Sequence, residues 1–185
     1  EDVMKVDIKG IIDNWKRENE GAPAARIIGN LPYYITTPIL MKLLGDHTGA
    51  SSVTVMIQRE VADRMLAEAG SKAYGAITLA INYYCEAEHI IDAPRTAFYP
   101  MPKVDSAVIR LDLRDESPVE LAEEALFFEV VKAGFGKRRK TLLNSLTGLR
   151  GLDRGGARQV LAEAEIDEKR RAETLDMYEF ARLAN

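Results

Sequence analysis

The segment Arg26-Ile27-Ile28-Gly29-Asn30-Leu31-Pro32-Tyr33, read on to Val53-Thr54-Val55-Met56-Ile57, decides the fold. Its first five residues read as a short apolar strand that stops at Gly29 and Asn30. Pro38 then opens a helix-like run to Leu44, since proline is well tolerated in a first helical turn. Residues 53–57 are rich in β-branched side chains and read as a buried strand. Strand, helix, strand in that order predicts an α/β sheet with crossover helices. Outward from there, residues 59–69 predict a helix stopped by Gly70. Residues 74–84 form a second apolar, helical run. Residues 88–92 and 106–113 read as strands joined by a proline-rich loop, a pairing that suits an antiparallel edge.

After Arg114 the texture changes. Asp115-Glu116-Ser117-Pro118 reads as a linker. Residues 120–135, 139–149, 156–164 and 175–184 each carry apolar side chains at helical spacing, with no β-rich run among them. The expectation is an α/β part over 1–114 and a small all-α domain over 115–185, a size usual for a domain. Gly155-Gly156 reads as a turn within it.

Composition narrows the function. The chain has 185 residues, 46% of them apolar and 29% charged, as in ordinary globular proteins. No apolar stretch approaches the roughly 20 residues of a membrane span. Cys85 stands alone, so no intramolecular disulfide or cysteine-based zinc site is expected, and the simple home is the reducing cytoplasm. The sequence starts at Glu1 rather than Met and shows no signal peptide, as expected of a piece of a longer chain. The net charge of −4 hides an uneven distribution. Residues 112–129 carry seven acids against Arg114, and residues 130–158 carry eight bases against Asp153. Contact with a polyanion depends on such patches rather than on the total.

Three constellations carry chemistry. The first is Asn30-Leu31-Pro32-Tyr33, just past the carboxyl end of a strand, where open α/β sheets bind ligands. An asparagine oxygen accepts a hydrogen bond. Pro32 removes a donor and stiffens the turn, and Tyr33 offers a flat stacking surface. Two acceptors converging on an –NH₂ would select an amine and favour the geometry in which its lone pair can attack. The bland reading is a turn with a core tyrosine. The second is Phe98-Tyr99-Pro100-Met101-Pro102-Lys103-Val104-Asp105-Ser106-Ala107-Val108. Its prolines make a stiff loop that can present Phe98 with little entropy lost. A base flipped out of its stack needs a surface on both faces; Tyr33 and Phe98 could supply them. The bland reading is a core Phe98, a solvated Lys103 and a capping Asp105. The third is Lys137-Arg138-Arg139-Lys140 ahead of Thr141-Leu142-Leu143-Asn144-Ser145-Leu146. Bases at a helix start are unfavourable for its dipole, and phosphate is one compensating partner.

Together the three runs, in this order, resemble the rRNA adenine N6,N6-dimethyltransferases, best the type acting on small-subunit rRNA. Met56-Ile57-Gln58-Arg59-Glu60-Val61-Ala62 and Ser71-Lys72-Ala73-Tyr74-Gly75 fit as well. The resemblance implies the C-terminal half of a Rossmann-like, S-adenosylmethionine-dependent methyltransferase domain followed by a small all-α domain. It implies a parent protein that dimethylates N6 of two adjacent adenosines in 16S rRNA of the 30S subunit. Asn30, Leu31, Pro32, Tyr33 and Phe98 then serve catalysis, with Asp2 and Asn30 toward the cofactor. Lys103, Lys137, Arg138, Arg139 and Lys140 then approach RNA. By the family pattern Asp2 ends the third strand, and the Gly-rich loop of the first strand is missing, so the fragment alone should be inactive. A monomer needing neither metal nor membrane is expected. The competing reading is a non-catalytic rRNA-binding assembly factor. His47 and His89 lack companions at metal-ligand spacing. Cys85 reads as core, Trp15 as packing or surface, and Glu60 as either a general base or a first-turn acid.

Overall fold

The computed structural model describes every residue except Glu1, Ala22 and Arg138. In chain order the elements are α1 (Ile8–Glu18), β1 (Arg26–Asn30), α2 (Thr36–Gly45), β2 (Ser52–Gln58), α3 (Arg59–Met65), α4 (Ala76–Tyr84), β3 (Cys85–Ala93), β4 (Ser106–Leu113), α5 (Glu124–Gly136), α6 (Leu142–Leu146), α7 (Arg154–Glu163) and α8 (Met177–Ala184). They form two compact units. The first comprises Glu1–Leu66 and Tyr84–Glu116, the second Ala67–Tyr83 and Ser117–Asn185.

The first unit is built on a four-stranded sheet of order β1-β2-β4-β3. β1 and β2 run parallel, with Asn30 opposite Met56. α2 makes the crossover that a parallel pair requires. β4 lies antiparallel to both β2 and β3, setting Ile57 opposite Ala107 and Cys85 opposite Leu113. Along β2 the period-2 alternation sends Val53, Val55 and Ile57 into the core, while Thr54, Met56 and Gln58 stay half-buried on the other face. α2 contributes Ile39, Leu40, Leu43 and Leu44 to the same core. Each such side chain stabilises by about 1.5–3 kcal/mol relative to exposure. Burial pushes the Cys85 thiol up to about 12, consistent with a packing residue.

Two boundaries depart from the sequence reading here. α3 ends at Met65 rather than at residue 69, and the Leu66 N–H closes it on the Ala62 carbonyl at 3.0 Å. β3 starts at Cys85, three residues before the predicted strand, because the apolar run of α4 leads straight into it.

The second unit is helical, and among its described residues there is no strand. Phe127, Val130 and Val131 of α5 and Phe180 of α8 are buried. Gly134 lets α5 and α8 approach, since a Cβ there would lie 3.0 Å from Ala172 Cβ and 3.4 Å from the Phe180 ring. α8 opens with a capping box: Asp176 accepts from the Glu179 N–H, and Glu179 accepts from the Asp176 N–H.

Residues 67–83 belong to this unit, which the predicted division at 114/115 did not anticipate. The Tyr74 hydroxyl donates to the Leu175 carbonyl at 2.9 Å, and its ring meets Phe135 edge-on. Burial, with Asp176 and Glu179 nearby, pushes that hydroxyl's pKa up. Gly70, expected to stop a helix, instead donates its N–H to the Glu173 carbonyl at 2.8 Å.

Gly155-Gly156 is not a turn but part of the first turn of α7, capped by Asp153, which accepts from the Gly156 N–H at 2.7 Å. Arg150 joins the basic block to the acidic one, and Arg158 finds its partner outside both. Arg150 pairs with Glu123 at 2.8 Å and Glu129 at 2.7 Å, and Arg158 pairs with Glu168 at 2.7 Å.

Candidate active site

β1 is the edge strand of the sheet and ends at Asn30. One further backbone bond, from Leu31 N–H to the Met56 carbonyl at 3.2 Å, holds the chain to β2 before Pro32 turns it. The Pro32 carbonyl accepts twice, from Ile35 N–H at 3.1 Å and from the buried Thr36 hydroxyl at 3.0 Å. The first turn of α2 therefore anchors the loop through that one carbonyl. The two acceptors before it stay open: among the described residues nothing donates to the Leu31 carbonyl or to the Asn30 side chain. Asn30 is exposed.

Tyr33 is half-buried, and its hydroxyl lies 2.7 Å from Ser106 Oγ. Ser106 is completely buried at the first position of β4. This bond joins the first constellation to the second, because Ser106 is where the proline-rich loop re-enters the sheet. Sequence reasoning gave Ser106 no role beyond opening a strand. A polar residue at a buried strand position was the one available signal.

Phe98 is half-buried and follows a short 3-10 turn, Arg95–Ala97. Asp105 gathers the ends of this loop. Its carboxylate accepts from Arg95 N–H at 2.8 Å, and its carbonyl accepts from Arg59 N–H at 3.0 Å. The Arg59 guanidinium in turn pairs with Asp92, which also bonds His89 Nε2 at 2.8 Å. The bond with His89, with the Arg59 charge beside it, holds the Asp92 carboxyl below the usual range. Tyr33 and Phe98 make no ring contact with each other. Lys103 is exposed on the same loop.

Asp2 is exposed and caps a 3-10 turn, Val3–Lys5, accepting from Met4 N–H at 3.0 Å. The strand end expected there is a helical turn instead. Glu60 occupies the first turn of α3. His47 lies edge-on to Tyr84, and no group of the described residues has the makings of a metal site.

The basic block sits in the second unit. Lys137 is the C-cap of α5, the Lys140 N–H closes a turn on the Lys137 carbonyl at 2.8 Å, and α6 starts only after Thr141. The bases therefore follow a helix C-terminus, where cations are favoured. The expected conflict with the α6 dipole does not arise, and that argument for phosphate lapses. Arg138 lies outside the described residues. Arg139 shares a recess of about 340 Å³ with Gly70, Ser71, Lys72, Arg171 and Glu173, all of the same unit. No helix of the described residues is long and apolar enough to cross a membrane.

Comparison with known proteins gives a consistent result. The family model described as ribosomal RNA adenine dimethylase matches residues 1–183. The ribosomal RNA small subunit methyltransferase A of Clostridioides difficile (strain 630) is 50% identical over 185 residues, covering all of this chain and 63% of that protein. The protein of the same name from Geobacillus sp. (strain WCH70) is 49% identical over 190 residues, covering all of this chain and 64% of its own length. This chain thus spans just under two thirds of these relatives. Among solved structures, a dimethyladenosine transferase from Plasmodium falciparum matches with a TM-score of 0.76 at 23% identity, over 89% of this chain and 67% of that one. The 23S rRNA methyltransferase ErmE matches with a TM-score of 0.59 at 22% identity, over 94% and 76%. At those identities the structures speak for the fold alone, a Rossmann-like α/β sheet. With the Asn30–Tyr33 turn, the Phe98–Ser106 loop and a family match over nearly every residue, this chain belongs to the ribosomal RNA adenine dimethylase family.

Proposed function

We propose that this chain supplies the base-binding half of the catalytic domain, and the helical domain, of an S-adenosylmethionine-dependent enzyme. That enzyme dimethylates N6 of two adjacent adenosines in small-subunit rRNA. The observation that carries the reading is the pair of open acceptors at the end of β1, Asn30 Oδ1 and the Leu31 carbonyl, beside an anchored Pro32. An adenine amine has two hydrogens and a lone pair delocalised into its ring. Two acceptors that take both hydrogens favour the geometry in which the lone pair leaves conjugation. Tyr33 and Phe98 would cover the faces of the base.

The donor set fits one part of the cofactor. Asp2 uses one carboxylate oxygen on Met4 and keeps the other for an adenine amine. No Gly-rich loop after a strand is present for the methionine end. When bound, S-adenosylmethionine supplies a methyl on a sulfonium, an excellent leaving group. The protein therefore needs no strong base, and its task is alignment and amine polarisation. The exposed bases Lys103, Lys137, Arg139 and Lys140, with Arg138, would meet rRNA phosphate on the 30S subunit, in the cytoplasm and as a monomer.

The test is Asn30→Ala in the full-length protein. Loss of one preorganised contact to the reacting group typically costs about 10²–10³ in turnover. We expect that loss in single-turnover methyl transfer, with affinity for the subunit within about threefold of wild type. Equal losses in binding and turnover would reduce Asn30 to a structural residue.

A further inference from the structure

We propose that Tyr34 and Tyr99 form a stacking platform for the nucleotides that flank the target adenosine. The proposal rests on the function argued above and extends it from the reacting base to its neighbours in a single strand of RNA.

The two tyrosines occupy matching places. Each directly follows a residue assigned to the target base, Tyr34 after Tyr33 and Tyr99 after Phe98. In each pair the first ring is half-buried, while the second stands out. Tyr34 is 88% exposed and Tyr99 is 102% exposed. The next residues of the second loop share this: Met101 and Val104 are exposed as well.

Neither loop is loosely held. The first is fixed through the doubly bonded Pro32 carbonyl, and the second is gathered at both ends by Asp105. The two meet at the bond between Tyr33 and Ser106. Exposed apolar groups on anchored loops beside a site mark a surface that something covers. The chemistry on these loops selects what that is. Arg95 and Lys103 are exposed on the second loop, and neither makes an ion pair among the described residues. Aromatic rings interleaved with open cations are the pattern that binds single-stranded nucleic acid: rings take base faces and cations take phosphates. An enzyme that lifts one base from its strand also unstacks the neighbours, and these rings would restore part of that stacking. Tyrosine suits the task because few rotatable bonds are frozen on binding.

The experiment uses the full-length protein and small ribosomal subunits, with Tyr34→Ala, Tyr99→Ala and the corresponding Phe variants. We expect each Ala variant to raise KM about tenfold, within the range that base–aromatic stacking contributes. kcat should change less than twofold. The slope of log Kd against log salt should stay at the wild-type value, since no phosphate contact is removed. Phe should restore KM, because the ring and not the hydroxyl does the stacking. Photocrosslinking from p-benzoylphenylalanine at position 99 should label nucleotides next to the target adenosines. An unchanged KM in both Ala variants would overturn the proposal, as would failure of Phe to rescue or crosslinks to ribosomal protein instead of RNA. The two readings fail differently. A wild-type protein that transfers no methyl to adenosine sinks the proposed function. Normal transfer with indifferent tyrosine variants sinks the platform alone.

Discussion

A phenol hydroxyl 2.7 Å from a completely buried serine is the tightest restraint on any proposed base-binding side chain here. The proposed stacking needs the Tyr33 ring face at a fixed angle, and its hydroxyl is the far end of that lever. Removing either partner frees the ring, and Tyr33→Phe also strands Ser106 Oγ away from water, at about 1–3 kcal/mol. In the full-length protein Ser106→Ala and Tyr33→Phe are each expected to lower kcat about tenfold with little change in KM. The double variant should be no slower than either single one. A double-mutant cycle on kcat checks this, and additive losses would mean that the two residues act separately. At this scale the sequence was informative where a residue's chemistry is local. Asn30, Pro32 and Tyr33 can be proposed from sequence because acceptor, stiff turn and ring are properties of four adjacent residues. Ser106 could not, because its partner is Tyr33, far away in the chain, and a serine opening a strand has many ordinary explanations.

Elements show the same division. The strands and the longer helices follow from periodicity, since β-branched runs and 3.6-residue spacing are local signals. Their ends were less legible. α6 covers Leu142–Leu146, where the apolar spacing suggested a helix over 139–149. Gly148 at φ +96° makes continuation of α6 unfavourable, and Arg139 and Lys140 belong to the turn before it. That turn carries its own prediction. Replacing Lys137, Arg138, Arg139 and Lys140 with Gln should weaken binding to the small subunit and reduce the slope of log K against log salt by roughly 1.4–2.1, as two or three phosphate contacts to a single strand are lost. Salt titrations of both proteins, with helicity checked by circular dichroism, decide it. An unchanged slope would leave these bases as solvated residues at the end of α5. Arg150 is a poor substitute as an RNA contact, because its guanidinium is committed to Glu123 and Glu129.

At the scale of the molecule, the two units are not contiguous in sequence, since residues 67–83 group with residues 117–185. An apolar helix such as α4 has the same pattern whichever core receives it. Only long-range bonds, such as that of Tyr74, just ahead of α4, to the Leu175 carbonyl, settle the matter. The last prediction starts from the sequence itself: no Gly-rich loop follows an early strand within residues 1–185. Residues 1–185 alone should give no saturable heat with micromolar S-adenosylmethionine in a calorimetric titration. A micromolar Kd would place the holders of the methionine within this chain. The strand order has a consequence for the birth of the protein. β4, the last in chain order of the four described strands, lies between β2 and β3. On a translating ribosome β3 therefore leaves the exit before β4, its partner among the described residues, carrying the exposed Ile90 and Ile91. The nascent sheet waits in two parts until residue 113 is out. That interval, rather than the finished fold, is when a chaperone has most to do.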